Sequence, residues 1–244
     1  MAKSFTFNED CMKIMLCYPD DYFDLAVVDP PYARGEDGGK KRSQWVKQKN
    51  GTKLFVADGG YEKKAWDCAV PSSDYFRELR RVSKAQIIFG VNYYTAEAFG
   101  PGRIIWDKCN DGTDQSDCEI AYNSLTDRVD MFRFMWRGMM QGKSMEEGTV
   151  QQADKRLNEI RIHPTQKPVA LYRWLFMKFA KPGWKILDTH LGSGSSRIAA
   201  YEANLDFVGC EIDKQYYDLE EERFGSFSAQ TCLFTDYDQE NLFT

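Results

Sequence analysis

The chain has 244 residues, 43% hydrophobic and 28% charged, enough to bury one sizeable α/β core and near the upper size for a single domain. Seven cysteines without a Cys-x-x-Cys pair, and only two histidines, exclude a disulfide framework and argue against a zinc site, so no metal is expected. There is no basic-then-apolar leader and no apolar run of bilayer length, so a soluble, cytoplasmic protein without a membrane partner is expected. The net charge of −5 is unevenly spread: residues 202–244 hold eleven acids against Lys214 and Arg223, which leaves the rest of the chain net basic.

The pattern predicts strands at 4–7 and 25–28. The second, Leu25-Ala26-Val27-Val28, is apolar throughout and runs into Asp29-Pro30-Pro31-Tyr32. Two prolines fix the backbone after the carboxylate and remove two donors, so carbonyl oxygens are available there. Asp29 and the Pro30 carbonyl can accept the two hydrogens of an exocyclic amine, and Tyr32 can stack on a planar ring. A plain strand-to-turn junction is the competing reading.

Residues 33–53 carry Arg34, Lys40, Lys41, Arg42, Lys47, Lys49 and Lys53 against Glu36 and Asp37, with several glycines and no lasting periodicity. The segment 33–66 reads as a mobile basic loop, suited either to gripping phosphates or to lying solvated on the surface. A helix at 73–82 is followed by strands at 86–89, 103–106 and 118–122. The stretch 126–162 interrupts the pattern, with Arg133, Arg137 and Lys143 among Phe132, Phe134 and Trp136; Phe132 and Phe134 alternate as in a half-buried strand. Pro164 and Pro168 introduce a helix at 169–179.

A strand at 185–187 then ends at Asp188 and enters Thr189-His190-Leu191-Gly192-Ser193-Gly194-Ser195, before helix 195–203. The glycines allow a tight turn against a ligand, and a helix start offers unpaired N–H groups to an anion. Strand 207–210 leads to Glu211, 19 residues after Gly192, a spacing that suits ribose hydroxyls. A last helix covers 214–224, with Asp213 as its cap. Strands and helices alternate, which predicts a doubly wound, mostly parallel sheet covered on both faces.

These motifs identify a resemblance. The chain is similar to the amino-methylating DNA methyltransferases of the β class, in which the Asp-Pro-Pro-Tyr motif precedes the cofactor glycine motif. The likeness extends to Asn8-Glu9-Asp10-Cys11, Trp66-Asp67, the stretch 86–94, Ile105-Trp106-Asp107-Lys108, Cys118-Glu119-Ile120-Ala121-Tyr122 and His163-Pro164-Thr165-Gln166-Lys167-Pro168. Thr189 and His190 depart from the family, which has proline and phenylalanine there.

The resemblance implies one methyltransferase domain over 1–244, a Rossmann-like α/β fold in circularly permuted order. It implies a seven-stranded, mostly parallel sheet with one antiparallel strand. The cofactor implied is S-adenosylmethionine, with Asp10 and Cys11 at its adenine, Glu211 at its ribose, and Asp188, Leu191, Gly192, Ser193, Gly194 and Ser195 around its methionyl end; His190 and Ile212 would also contact it. Lys167 would pair with its carboxylate. Asp29, Pro30, Pro31 and Tyr32 would be catalytic, with Asp29 also touching the cofactor. Stretch 126–162 resembles a small target-recognition insert. Arg34, Lys40, Lys41, Arg42, Arg133, Arg137 and Lys143 would contact DNA.

The activity expected is methylation of adenine N6 in DNA, by a homodimer of bacterial or phage origin, as in restriction-modification. Cytosine N4, RNA adenine, a cofactor-binding subunit without activity, and a nicotinamide-dependent dehydrogenase are the alternatives.

Overall fold

The computed structural model describes residues 2–35, 44–47, 51–56, 61–62, 64, 67–111 and 116–240, with the side chains of 44–47, 54–56 and 231–240 left aside. In chain order the elements are β1 (Ser4–Phe7), α1 (Cys11–Leu16), β2 (Leu25–Val28), β3 (Gln44–Lys47), β4 (Lys53–Val56), α2 (Ser73–Val82), β5 (Gln86–Phe89), β6 (Arg103–Asp107), β7 (Cys118–Asn123) and β8 (Val129–Arg133). They continue with β9 (Trp136–Arg137), β10 (Met140–Gln141), α3 (Val169–Phe179), β11 (Lys185–Asp188), α4 (Ser195–Glu202), β12 (Asp206–Cys210) and α5 (Lys214–Glu240).

Eight strands form one sheet in the order β1-β12-β11-β2-β5-β7-β6-β8, and only β7 runs against its neighbours. The expected seven therefore become eight. The added strand is β8, which pairs along β6 from Arg103↔Val129 to Asp107↔Arg133. Its alternating burial, with Asp130 and Phe132 inward, is the period-2 signal already visible around Phe132.

β2 and β5 are buried on both faces, as strands inside a doubly wound sheet must be. Successive residues of β2 feed separate cores. Leu25 and Val27 pack with α3 and α4, while Ala26 and Val28 pack with Met15 of α1 and Tyr75, Phe76, Leu79 and Val82 of α2. The spacing of those four α2 residues is one helical face, and the Ser72 hydroxyl caps it by accepting from Tyr75 N.

Three expectations change. The segment 33–66, expected as a mobile basic loop, includes an antiparallel hairpin, β3 with β4; Lys40, Lys41, Arg42, Lys49 and Trp66 lie outside the described residues. Helix α5 runs on to Glu240 rather than ending at 224. The short α1 was not anticipated, because six residues carry too little periodicity to register; it exists because Asp10 caps it, accepting from Met12 N at 2.7 Å. Among the described residues, no helix is long and apolar enough to cross a membrane.

Candidate active site

Parallel strands end on the same edge of the sheet, so their order decides which loops meet. Phe7 pairs with Cys210, Gly209 with Asp188, and Leu187 with Ala26. The carboxyl ends of β1, β12, β11 and β2 thus lie side by side, and with them Asp10, Glu211, Asp188 and Asp29. Crevices at this edge are where doubly wound sheets bind ligands.

At the end of β2, Asp29 Oδ1 accepts the Tyr32 hydroxyl and Oδ2 accepts Lys167 Nζ. Lys167 Nζ is also 3.2 Å from Tyr32 Oη and 2.9 Å from Glu119 Oε2, and Glu119 Oε1 is 2.8 Å from Lys108 Nζ. Burial pushes the Asp29 carboxyl up, against the pull of Lys167. Burial also acts on Glu119, but Lys167 and Lys108 outweigh it and hold that carboxyl at about 2. Burial, then the anions Asp29 and Glu119, raise the Tyr32 phenol well above its ordinary value, so it remains a donor.

Backbone around the tetrapeptide is held from two sides. The Pro30 carbonyl accepts the buried Tyr94 hydroxyl at 2.8 Å, so it is not unpaired, although its second lone pair remains for another donor. Pro31 carries the chain on to Tyr32. Buried Asp67 accepts Tyr32 N (2.9 Å) and Ala33 N (2.8 Å) on one oxygen and Arg34 N (3.2 Å) on the other, which fixes Ala33 at φ +57°. Tyr93 stacks on the Tyr32 ring at 4.9 Å and 22°, and its hydroxyl accepts Arg34 Nη1 at 2.9 Å. One face of the ring expected to receive a base is therefore occupied by a tyrosine.

At the end of β11, Asp188 Oδ1 accepts His190 N (3.0 Å) and Oδ2 accepts Ser196 Oγ (2.5 Å). Burial pushes this carboxyl from 3.8 up to about 7. A raised folded-state value means that the stability it contributes is complete below about pH 4 and is lost as the pH rises through about 7. Asp188→Asn keeps the shape without the titration. We expect wild type to lose unfolding temperature relative to this variant between about pH 4 and 7; a constant difference in thermal melts would remove Asp188 as the titrating group.

The turn after Asp188 is closed by Leu191 N on Cys210 O (3.0 Å) and by Gly192 N on Glu211 Oε2 (2.9 Å), with Asp213 N on Glu211 Oε1 (2.9 Å). Gly194 caps α4 at φ +71°, and a Cβ there would lie 2.4 Å from Glu220 Oε1. Ser193 Oγ and Ser195 Oγ are 3.1 Å apart. Arg223, which the sequence did not single out, donates to Ser193 O (2.6 Å) and Ser195 Oγ (3.0 Å) from α5. His190 packs edge-on to Tyr75 and shares Thr189 Oγ1 with it, while burial holds its imidazole down at about 4 and so neutral.

Cys11 follows the Asp10 cap; burial, with Asp10 and Glu211 nearby, pushes its thiol up to about 12. Asn8 Nδ2 donates to Glu211 O and Ile212 O, leaving the Ile212 side chain exposed. Lys167, expected at a cofactor carboxylate, lies between Asp29 and Glu119.

In the stretch 126–162 the aromatic residues belong to the core: Phe132, Phe134 and Trp136 are each no more than 5% exposed, and Phe132 stacks on Trp174. Arg133 pairs with Asp107 (3.1 Å) and Lys143 with Glu147 (2.5 Å), whereas Arg137 lies half-buried in β9. The first two are surface pairs, weak enough to be exchanged for phosphate.

The family model for N6/N4 DNA methylases matches residues 135–222. The putative methylase YubD of Escherichia coli (strain K12) is 35% identical over 224 residues, covering 89% of this chain and 88% of that protein. The type II methyltransferase M.HpaI of Haemophilus parainfluenzae is 36% identical over 64 residues, 26% of this chain and only 20% of that enzyme. Among solved structures, PvuII DNA methyltransferase (cytosine-N4-specific) has a TM-score of 0.55 at 14% identity, over 92% of this chain and 87% of that one. The complex of M1.HpyAVI with SAM has a TM-score of 0.50 at 14% identity, over 91% and 100%. The structural likenesses establish the shared fold; the near full-length relative and the family match establish that the chain belongs to the N6/N4 DNA methylase family.

Proposed function

We propose that this chain transfers a methyl group from S-adenosylmethionine to the N6 amine of adenine in DNA. The observation that carries the reading is Asp29, set beside the glycine turn on one sheet edge with its carboxylate held by Tyr32 and Lys167. The residues around the turn fit the cofactor. The first turn of α4, with Ser193 and Ser195, presents donors to the methionyl carboxylate, and Glu211 keeps lone pairs for ribose hydroxyls beyond its two backbone bonds. Asp10 and Cys11 lie beside Glu211, where the cofactor adenine would follow the ribose. When bound, S-adenosylmethionine supplies an electrophilic methyl carbon.

The protein's part is to orient the acceptor. An exocyclic amine has its lone pair spread into the ring, so a carboxylate and a carbonyl that accept its hydrogens favour the geometry in which nitrogen faces the methyl in line. Asp29 and the second lone pair of Pro30 O take that role. Base extrusion from duplex DNA costs a few kcal/mol, offset in part by stacking. Tyr32 is the stacking ring, and Tyr93 must then turn away or join the stack. Aspartate at position 29, where the family resemblance implies serine for cytosine-N4 methylation, favours adenine. Arg34, Lys40, Lys41, Arg42, Arg133, Arg137 and Lys143 are proposed to grip phosphates, and the assembly is proposed to be a homodimer, since an insert as small as 126–162 offers little surface for reading DNA unaided.

Glu211→Ala should raise the dissociation constant for S-adenosylhomocysteine about tenfold or more, the worth of one or two charge-assisted hydrogen bonds. Titration calorimetry checks this, and an unchanged constant moves the ribose elsewhere. Modified-base sequencing of DNA from cells expressing the chain tests the activity. N6-methyladenine in a fixed context, absent with Asp29→Ala, is expected. N4-methylcytosine would replace the adenine assignment, and methylation confined to RNA would replace DNA.

A further inference from the structure

Lys167 is the most enclosed cation of the site, only 3% exposed, and it contacts two carboxylates rather than one. Asp29 arrives from the end of β2, while Glu119 comes from the reversed strand β7 two places along the sheet. Lys108, from the end of β6, holds the far oxygen of Glu119. The row Lys108, Glu119, Lys167, Asp29 thus alternates in charge, and its free end is the carboxylate assigned to the substrate amine.

Each Asp29 oxygen already accepts one donor, Tyr32 or Lys167, so an amine that takes Asp29 as its own acceptor competes with the Lys167 ammonium for the carboxylate. If Lys167 had no other anion, displacing it would strand a buried ammonium, which is strongly unfavourable. Glu119 removes that obstacle because its own ion pair with Lys167 already exists, at 2.9 Å. The geometry points to Glu119 as a positioning residue that takes over Lys167 when the target amine docks, leaving Asp29 charged and open as the acceptor. Nothing covalent changes in this step; one ion pair shortens as another lengthens. The inference rests on the methyl-transfer reading for its meaning, but not for its measurement.

The groups facing Asp29 are Lys167 and Tyr172 from the α3 side, Glu119 from β7 with Lys108 behind it, Tyr94 after β5, Asp188 at the end of β11, and Tyr32 on its own loop. Burial raises all three phenols, so they stay neutral while Asp29 titrates. Glu119 repels the Asp29 charge and Lys167 attracts it, which gives opposite signs to the two substitutions.

With Glu119→Gln, kcat should fall roughly ten- to a hundredfold because Lys167 stays on Asp29, while affinity for S-adenosylhomocysteine stays within about twofold. The acid limb of the kcat/KM profile should move down, and with Lys167→Gln it should move up. Glu119→Asp, charged but shorter, should lower kcat with the limb unmoved, and it serves if the glutamine variant does not fold. Carboxyl-labelled aspartate, with Asp29→Asn to assign the resonance, reads the Asp29 titration by NMR in cofactor-free protein. That midpoint should fall in Glu119→Gln whether or not the protein methylates DNA, so failure of the function and failure of this pair are separable. An unchanged kcat, a midpoint that stays or rises, or a loss confined to cofactor affinity would overturn the role of Glu119.

Discussion

Asp29→Ala is expected to lower single-turnover methyl transfer by about 10³-fold or more, in the upper range for removal of a positioned acceptor in a closed site. Affinity for S-adenosylhomocysteine should stay within about threefold, because the turn at 191–195 and Glu211 are built from other strands and none of their hydrogen bonds passes through Asp29. The variant should fold, since Lys167 keeps Glu119 as its counter-ion. Rapid-quench transfer and calorimetric binding decide between roles: equal loss of both would place Asp29 at the cofactor rather than at the amine.

Gly90→Ala should be almost as damaging, though residue 90 touches neither ligand in the proposed reading. Gly90 sits at φ +75°, and a Cβ there would lie 2.1, 2.6 and 2.7 Å from three carbons of the Tyr32 ring. The backbone strain alone costs about 1–2 kcal/mol. The overlap is worse, because it can be relieved only by moving the ring or the β5 end, and moving the ring breaks the bond to Asp29 and the stack with Tyr93. Turnover should fall about a hundredfold, as for a misplaced reacting group, with cofactor binding preserved. Gly183→Ala is the control. Its φ is +78°, but nothing lies within 4 Å of the added carbon, so it pays strain and leaves turnover alone. If both variants turn over alike, the Tyr32 ring does not need its present place.

Much of this protein is legible without coordinates. The apolar runs of β2 and β5 and the helical face of α2 declare themselves by period, and the glycine turn with Asp188 and Glu211 by spacing. These are local signals, written within a few residues of where they act. The Asp-Pro-Pro-Tyr motif and the hexapeptide ending at Pro168 likewise mark the family from residues adjacent in the chain.

What the tertiary structure decided is which distant residues share the site. Lys167 and Asp29 are 138 positions apart, and Tyr32 and Asp67 are 35 apart, so no window of sequence contains either pair. Gly90, Tyr93, Tyr94, Lys108 and Glu119 lie in segments that carry the family likeness, but nothing in those segments assigns them a role, and Arg223 carries no motif at all. They meet because β7 enters the sheet reversed between β5 and β6 and because α5 returns over the glycine turn. Phe132 and its neighbours joined the core for the same reason, when β8 found β6 as its partner. Strand order is a global choice among pairings whose hydrogen bonds are nearly equivalent residue by residue, and it is settled by which arrangement buries both faces of the central strands at once. Period and capping are local properties; that choice is not.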